Sequence, residues 1–159
     1  MHYKKILTWC CKQIATLGPV GYLPAAGTFG TLCAVPLLVG LRYLETYVRY
    51  IDEGMIVGFL IVLSVWIVNK ALICFAEQDP SEIVLDEVMG FFVVMLFMPL
   101  QPLVLVMGFA YFRFFDILKP FGIERFERIG GGWGVVLDDI TAAVFARMLL
   151  EVTLLVIVR

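Results

Sequence analysis

Long apolar stretches alternate with short polar segments along most of the chain. Four such stretches cover residues 31–50, 55–76, 83–119 and 139–158. A helix needs about 20 apolar residues to cross the hydrocarbon core of a bilayer. The first, second and fourth stretches therefore each predict one membrane-crossing helix.

The third stretch is too long for a single crossing and contains two prolines near its middle. Pro99 and Pro102 lie three residues apart, and prolines placed in this way stop a helix and favour a turn. The pattern predicts a helical hairpin with arms at 80–98 and 103–119. The two ends of the stretch then lie on the same side of the membrane.

The first 18 residues predict a different kind of helix. Lys4, Lys5 and Lys12 are interspersed with apolar residues such as Trp9. Basic side chains suit anionic lipid headgroups, while apolar side chains enter the interface. We expect residues 1–18 to form an amphipathic helix that lies in the membrane interface.

Together these elements predict an all-α fold. It is an integral membrane helical bundle of about five membrane helices, two of them in the hairpin, plus the interfacial helix. Residues 1–30, 77–87 and 113–139 then share one face, which the positive-inside rule makes cytoplasmic. The basic residues on that face are Lys4, Lys5, Lys12, Lys70, Arg113, Lys119, Arg125 and Arg128, against Arg42, Arg49 and Arg159 on the other.

Composition supports a membrane protein. Apolar residues make up 62% of the 159 residues and charged residues only 16%, whereas soluble domains are about half apolar and about a quarter charged. No basic patch with interleaved aromatic residues is visible, which argues against nucleic acid as a partner. The four cysteines have no metal-ligand spacing and predict buried free thiols.

An acidic segment over residues 79–90 opens the first arm of the hairpin. Asp79, followed by proline, and Glu82 have the spacing of a helix cap, so capping alone explains them as well as metal binding does. Asp86 and Glu87 lie further inside an apolar helix, where carboxylates are costly and by default functional. The alternative for these two is an interfacial position or a pairing with a basic residue.

A basic segment closes the second arm. Arg113 and Asp116 are three residues apart on one helical face, and Lys119 follows one turn later. A planar guanidinium held by an aspartate is suited to gripping a phosphate. A buried ion pair for Arg113 and Asp116, and a headgroup anchor for Lys119, are the structural alternatives.

Two glycine-containing segments complete the candidate chemistry. Asp138 and Asp139 follow a glycine run and precede the last apolar stretch, where one of them is a metal ligand or only a helix cap. Thr28 and Thr31 lie in a Gly/Pro loop before the first crossing and either cap that helix or, for Thr28, help to bind a phosphate at its N-terminus.

Several carboxylates without a nearby histidine suit a hard cation such as Mg²⁺. Magnesium together with a cationic clamp is what phosphoryl transfer requires. The only histidine is His2, and no cysteine precedes an arginine at phosphatase-loop spacing. A water activated by the cation, or one aspartate attacking directly, remains as the nucleophile.

In four segments the chain resembles the phosphatidylglycerophosphatase A family: residues 23–32, 79–90, 112–123 and 131–139. The resemblance implies hydrolysis of phosphatidylglycerophosphate to phosphatidylglycerol and phosphate, Mg²⁺ dependence and a multi-pass place in the bacterial inner membrane. The motif positions that it implies are Asp79, Asp86, Glu87, Arg113, Asp116, Lys119, Pro120, Asp138 and Asp139. Ala26 departs from the family, which often has proline there.

The resulting hypothesis assigns Mg²⁺ to Asp86, Glu87 and Asp139, with Asp79 and Asp138 as further candidate ligands. Arg113, Lys119 and Thr28 would bind the phosphate of a phospholipid that stays in the bilayer, with Asp116 supporting Arg113. A carboxylate of the catalytic group Asp86, Glu87 and Asp139 would take the proton of the attacking water. Alternatives are a small transporter with an acidic ion site, or a phosphatase for another lipid phosphate. The sequence predicts no oligomeric state.

Overall fold

The computed structural model describes residues 2–47, 52–77, 79–120 and 129–157. Within these ranges every regular element is helical, which confirms the predicted all-α class. The helices are α1 (His2–Ala15), α2 (Ala26–Glu45), α3 (Glu53–Ala71), α4 (Leu85–Met95), α5 (Pro102–Leu118) and α6 (Gly131–Ile157), with 3₁₀ turns at Val20–Tyr22 and Leu72–Cys74.

Three helical segments in the described part of the chain are long and apolar enough to cross a membrane. They are Ala26–Leu44, Glu53–Cys74 and Gly131–Ile157. The 11 residues of α4 rise only about 16 Å, roughly half the thickness of the hydrocarbon core. The prediction of five membrane helices is therefore not confirmed, although the membrane character of the bundle is.

The predicted hairpin is present between α4 and α5. α4 ends at Met95 and α5 starts at Pro102, so Pro99 lies in the break and Pro102 is the first residue of the second arm. Pro102 lies in the first turn of α5, where the missing proline N–H leaves no helical hydrogen bond unmade. The first arm is shorter than predicted, with 85–95 helical rather than 80–98.

The start of α4 corrects the predicted helix cap. Val84 is the N-cap residue and no side chain caps the helix, so capping by Asp79 and Glu82 is wrong. The backbone N–H of Val84 instead donates to the carbonyl oxygen of Ala15 at 2.9 Å. A contact with the end of α1 therefore sets where α4 begins.

The start of α6 also differs from the prediction. α6 begins at Gly131, about two turns before residue 139, so neither Asp138 nor Asp139 is a cap. The N–H of Gly132 donates to the side-chain oxygen of Asn69 at 2.8 Å. This side chain of α3 thus satisfies one of the N–H groups left free at the start of α6.

The start of α2 likewise has no threonine cap. Its N-cap is Ala25, in a left-handed conformation and without a side-chain hydrogen bond. The hydroxyl of Thr31 donates to the carbonyl oxygen of Gly27 at 2.8 Å inside the helix. The predicted capping by Thr28 or Thr31 is therefore wrong.

α4 lies at the centre of the bundle. It packs against α2, α3, α5 and α6, and Phe91, Val94 and Met95 are completely buried. Large apolar side chains such as Phe59 and Leu155 are exposed on the outside, as expected where lipid replaces water. Polar groups on α4 are therefore held in the interior.

α1 packs against α3 with one face and leaves the other exposed. Cys11 and Ala15 are buried, whereas Tyr3, Ile6 and Trp9 are exposed. A helix is thus present within the predicted range 1–18, whereas its amphipathic place in the membrane interface stays a prediction. Four basic residues used to orient the bundle, Arg49, Arg125, Arg128 and Arg159, lie outside the described residues, and the cytoplasmic orientation stays a prediction.

Candidate metal and phosphate site

Three carboxylates meet between α4 and α6. Asp86 and Glu87 come from the first turn of α4 and Asp139 from the third turn of α6. One oxygen of each lies within 4.8 Å of the others. Asp86 and Asp139 are buried and Glu87 is half-buried. The bundle thus joins three predicted metal ligands from distant parts of the sequence; they are called the acid triad below.

A glycine allows α4 and α6 to approach each other at this point. Gly90 lies one turn after Asp86, and a Cβ added to it would lie 3.3 Å from the carbonyl oxygen of Asp139. The same atom would press against the ring of Phe112. A larger residue would therefore collide with Phe112 of α5 and crowd the contact between α4 and α6.

Each carboxylate of the triad has one buried oxygen without a hydrogen-bond partner among the described residues. These atoms are Oδ1 of Asp86, Oε2 of Glu87 and Oδ2 of Asp139. Buried polar atoms are normally paired, and like charges so close repel one another. The donor set of this buried cluster suits a metal ion that prefers oxygen ligands.

Arg113 on α5 lies next to the triad. Its Nη1 atom donates to Oδ2 of Asp116 and lies 4.0 Å from Oε1 of Glu87. Asp116 thus pairs with the guanidinium one turn along α5, and its role in supporting a phosphate-binding arginine stays a prediction. The Nε atom of Arg113 is buried without a hydrogen-bond partner in the described part of the chain.

Lys119 and Asp138 form a second link between α5 and α6. The Nζ atom of Lys119 lies 2.6 Å from Oδ2 of Asp138. Consecutive residues on a helix point about 100° apart, so Asp138 pairs with the lysine while Asp139 joins the triad. The expectation that only one of the two aspartates faces the metal agrees with this geometry.

A polar cavity of about 520 Å³ opens beside Glu87 and Arg113. Its walls come from the loop before α2, the turn before α4 and the side chain of Arg113. The lining residues are Gly21, Tyr22, Leu23, Ala25, Ala26, Gly27, Ser81, Glu82, Glu87 and Arg113. A charged ligand that enters this cavity meets one triad carboxylate and the guanidinium together.

Gly27 is a site residue that sequence reasoning did not single out. A Cβ added to it would collide with Oε1 of Glu87 and lie 3.1 Å from both Nη atoms of Arg113. The Gly-Thr sequence at the start of α2 was the available signal. Glycine here leaves the room in which the carboxylate and the guanidinium face each other.

Two predicted site residues lie outside this arrangement. Thr28 is in the first turn of α2 but does not line the cavity. Asp79 is exposed in the segment before α4 and is not part of the triad. Their predicted roles stay predictions.

Comparison with known proteins gives a consistent result across most of the chain. A family profile described as Phosphatidylglycerophosphatase A matches residues 13–154. All of the residues described above as the triad and its neighbours fall inside that range.

Three curated relatives are similar over most of their own length. A Bacteroides thetaiotaomicron protein named "Putative phosphatidylinositol-3-phosphatase" is 34% identical over 137 residues, which cover 83% of this chain and 86% of the relative. A Haemophilus influenzae protein named phosphatidylglycerophosphatase A is 33% identical over 147 residues, with 85% and 88% covered. The Escherichia coli protein of that name is 31% identical over 126 residues, with 78% and 71% covered. No solved structure gives a match.

Proposed function

The chain belongs to the phosphatidylglycerophosphatase A family and is a lipid phosphatase, a phosphoric monoester hydrolase; from this premise we propose that it hydrolyses phosphatidylglycerophosphate with the help of Mg²⁺. The products would be phosphatidylglycerol and inorganic phosphate. Membership of an enzyme family favours this over the transporter that the sequence alone left open.

One observation carries the metal part of the proposal. Asp86, Glu87 and Asp139 converge from two helices with one unsatisfied buried oxygen each. A structural network would pair those oxygens with N–H or O–H donors, because unpaired buried acceptors destabilise the folded state. Three clustered carboxylates that each keep an unpaired buried oxygen instead support a bound cation.

The cavity supports a phosphate next to that cation. Arg113 reaches it with a guanidinium that Asp116 fixes in orientation. A planar guanidinium binds two oxygens of a phosphate at once. We place the phosphomonoester between Arg113 and the triad, with Lys119 adding positive charge from the side of Asp138.

Bound Mg²⁺ would neutralise charge on the phosphate oxygens and make a water more acidic. Glu87 is the triad member that lines the cavity, so it is the best placed to accept the proton of the attacking water. The water oxygen bonds to phosphorus, the bond from phosphorus to the glycerol oxygen breaks, and that oxygen leaves with a proton. The acyl chains stay in the bilayer throughout.

A phosphatase for another lipid phosphate is the second candidate. The relative from Bacteroides thetaiotaomicron carries the name of a phosphatidylinositol phosphatase, so similar chains are named for different headgroups. The triad and Arg113 would serve either headgroup, because both reactions cleave a phosphomonoester. Residues of the cavity walls, such as Tyr22 and Ser81, are placed to contact the headgroup and so to distinguish one headgroup from another.

The family also suggests the location. We propose that the chain resides in a bacterial inner membrane with the triad on the cytoplasmic side, as the distribution of basic residues predicts. A phospholipid in the same leaflet would then reach the cavity from the side.

The test is phosphate release from phosphatidylglycerophosphate in detergent micelles, measured with EDTA and after Mg²⁺ is added back. We expect activity only with Mg²⁺, without any ion gradient, and more slowly with phosphatidylinositol 3-phosphate. Asp86→Asn should abolish release at every Mg²⁺ concentration. Glu151→Gln is the matched control, since it also removes one negative charge but at an exposed position outside the site.

Full activity in EDTA, or in Asp86→Asn, would refute the metal assignment. Faster release from the inositol lipid would instead reassign the headgroup and leave the site intact.

A further inference from the structure

The end of α4 that points away from the triad is held by two arginines. α4 stops at Met95 inside the bundle, which leaves its last carbonyl oxygens without helical partners. Arg42 of α2 donates from Nη2 to the carbonyl oxygen of Met95 at 2.7 Å and from Nη1 to that of Met98. One guanidinium therefore binds the end of α4 and the turn that follows it.

The second arginine comes from α6. Nη1 of Arg147 donates to the carbonyl oxygens of Val94, at 3.0 Å, and of Leu96. Its Nε atom donates to Glu151 at 2.6 Å, one turn further along α6. Arg147 and Glu151 are four residues apart on α6, whereas the contact of Arg147 with α4 joins residues more than 50 positions apart in the chain.

A buried carboxylate completes this group. Glu53, at the start of α3 and only 5% exposed, accepts hydrogen bonds from Arg42 at 3.1 Å and from the backbone N–H of Phe97 at 2.9 Å. Side chains of α2, α3 and α6 thus supply donors and an acceptor to the broken helix end. Arg42, Glu53 and Arg147 are called the clamp below.

The clamp and the triad have matching spacings on α4 and α6. Asp86 and Val94 are eight residues apart on α4, and Asp139 and Arg147 are eight residues apart on α6. Both helices run away from the triad, and eight residues rise about 12 Å on each. Two contacts at equal spacing fix the register of two parallel helices.

We infer that Arg42 and Arg147 are positioning residues: they hold α4 at the axial height at which Asp86 and Glu87 meet Asp139. The inference rests on the proposed metal site. α4 is short and lies between a turn and an irregular segment, so no long helix of its own anchors it in the bilayer. Without the clamp, its unpaired carbonyl oxygens would favour a shift toward other donors.

Such a shift of α4 would first change the geometry of the proposed metal ligands. Two ligands lie on α4 and one on α6, so sliding α4 along its axis changes the distances between them. A displacement of about 1 Å at a reacting centre costs up to about a hundred-fold in rate. Changes to residues that only orient metal ligands typically cost about ten-fold to a hundred-fold in affinity or activity.

The test measures Mn²⁺ binding by electron paramagnetic resonance on the purified full-length protein without substrate, together with its melting temperature. We expect Arg147→Gln to weaken Mn²⁺ binding about ten-fold. It should also lower kcat more than it changes KM for the lipid. Arg147→Lys should give an intermediate Mn²⁺ affinity, since its ammonium keeps the positive charge but has one nitrogen, whereas the guanidinium uses Nε for Glu151 and Nη1 for the carbonyl oxygens of α4.

Two controls remove polar contacts near the clamp without touching α4. Tyr111→Phe deletes the hydroxyl that pairs with Thr153 between α5 and α6. Glu151→Gln weakens the partner of Arg147 but leaves the arginine itself. Both should bind Mn²⁺ as the parent does.

Parent-like Mn²⁺ affinity in Arg147→Gln as well as in Arg147→Lys would overturn the inference, whatever their melting temperatures, because the clamp would then only stabilise the fold. Absence of Mn²⁺ binding in the parent itself would be a different result, which refutes the proposed metal site.

Discussion

The two ends of α4 differ in how their buried polar groups are satisfied. At the N-terminal end, Asp86 and Glu87 join Asp139, and one oxygen of each lacks a partner in the described chain. At the C-terminal end, Arg42 and Arg147 meet the freed carbonyl oxygens, and Glu53 accepts the N–H of Phe97. One helix thus carries an incomplete polar cluster and a closed one.

This difference in hydrogen bonding distinguishes a ligand-binding site at one end of α4 from a structural contact at the other. Polar groups that serve only the fold are expected to pair with one another, since unpaired ones destabilise it. Carboxylates left incomplete in the same protein are therefore better explained by a ligand. It follows that a substitution in the triad should mainly cost activity, whereas one in the clamp should cost stability as well as metal affinity.

Asp139→Asn should produce the largest effect on activity. If it does not, the contrast between a ligand site and a structural support at the two ends of α4 is wrong. A bound cation contributes several kcal/mol of charge stabilisation in the transition state, so we expect phosphate release to fall by at least about a hundred-fold. The melting temperature without metal should stay the same or rise, because one of three repelling charges is gone. A fall in melting temperature with activity retained would show that the triad is structural.

Glu53→Ala tests the opposite end of α4. It leaves Arg42 without its carboxylate and the N–H of Phe97 without an acceptor. Breaking a buried ion pair costs about 3 kcal/mol or more, which corresponds to a melting temperature lower by roughly 6–12 °C. Thermal unfolding in detergent measures the effect, and an unchanged midpoint would mean that the clamp does not stabilise the bundle.

Gly27→Ala should have the smallest effect of the three substitutions. It tests whether the site extends to the start of α2. The added Cβ displaces the carboxylate of Glu87 from its position opposite Arg113, so we expect activity to fall by about ten-fold with little change in melting temperature. Gly40→Ala in the same helix is the matched control, because a Cβ there meets nothing within 4 Å. That variant should keep full activity and melt slightly higher, since alanine favours a helix over glycine by up to about 1 kcal/mol.

Prediction from sequence was most successful where the signal is local. The apolar stretches predicted an all-helical membrane protein, and Pro99 and Pro102 predicted the break between α4 and α5. It was less successful at helix starts. The predicted cap of α4 by Asp79 was wrong because Val84 bonds to Ala15, a residue 69 positions away.

The same distinction applies to the site. The sequence indicated Asp86, Glu87 and one of two adjacent aspartates, because carboxylates in apolar helices are costly. The hypothesis favoured Asp139 but kept Asp138 as a further candidate, since the position of each side chain depends on where α6 begins and on which helix the side chain faces.

The sequence by itself determined the helical class, the fold-back of the polypeptide and the types of chemical group available at the site. These follow from hydrophobic periodicity, from proline geometry and from the cost of charge in an apolar segment, all of which act over a few residues. Only the tertiary structure decided that Asp139 joins the triad, that Gly27 makes room for Glu87, and that Arg147 clamps α4. Those outcomes depend on contacts between residues far apart in the chain, and such contacts leave no periodic pattern in it.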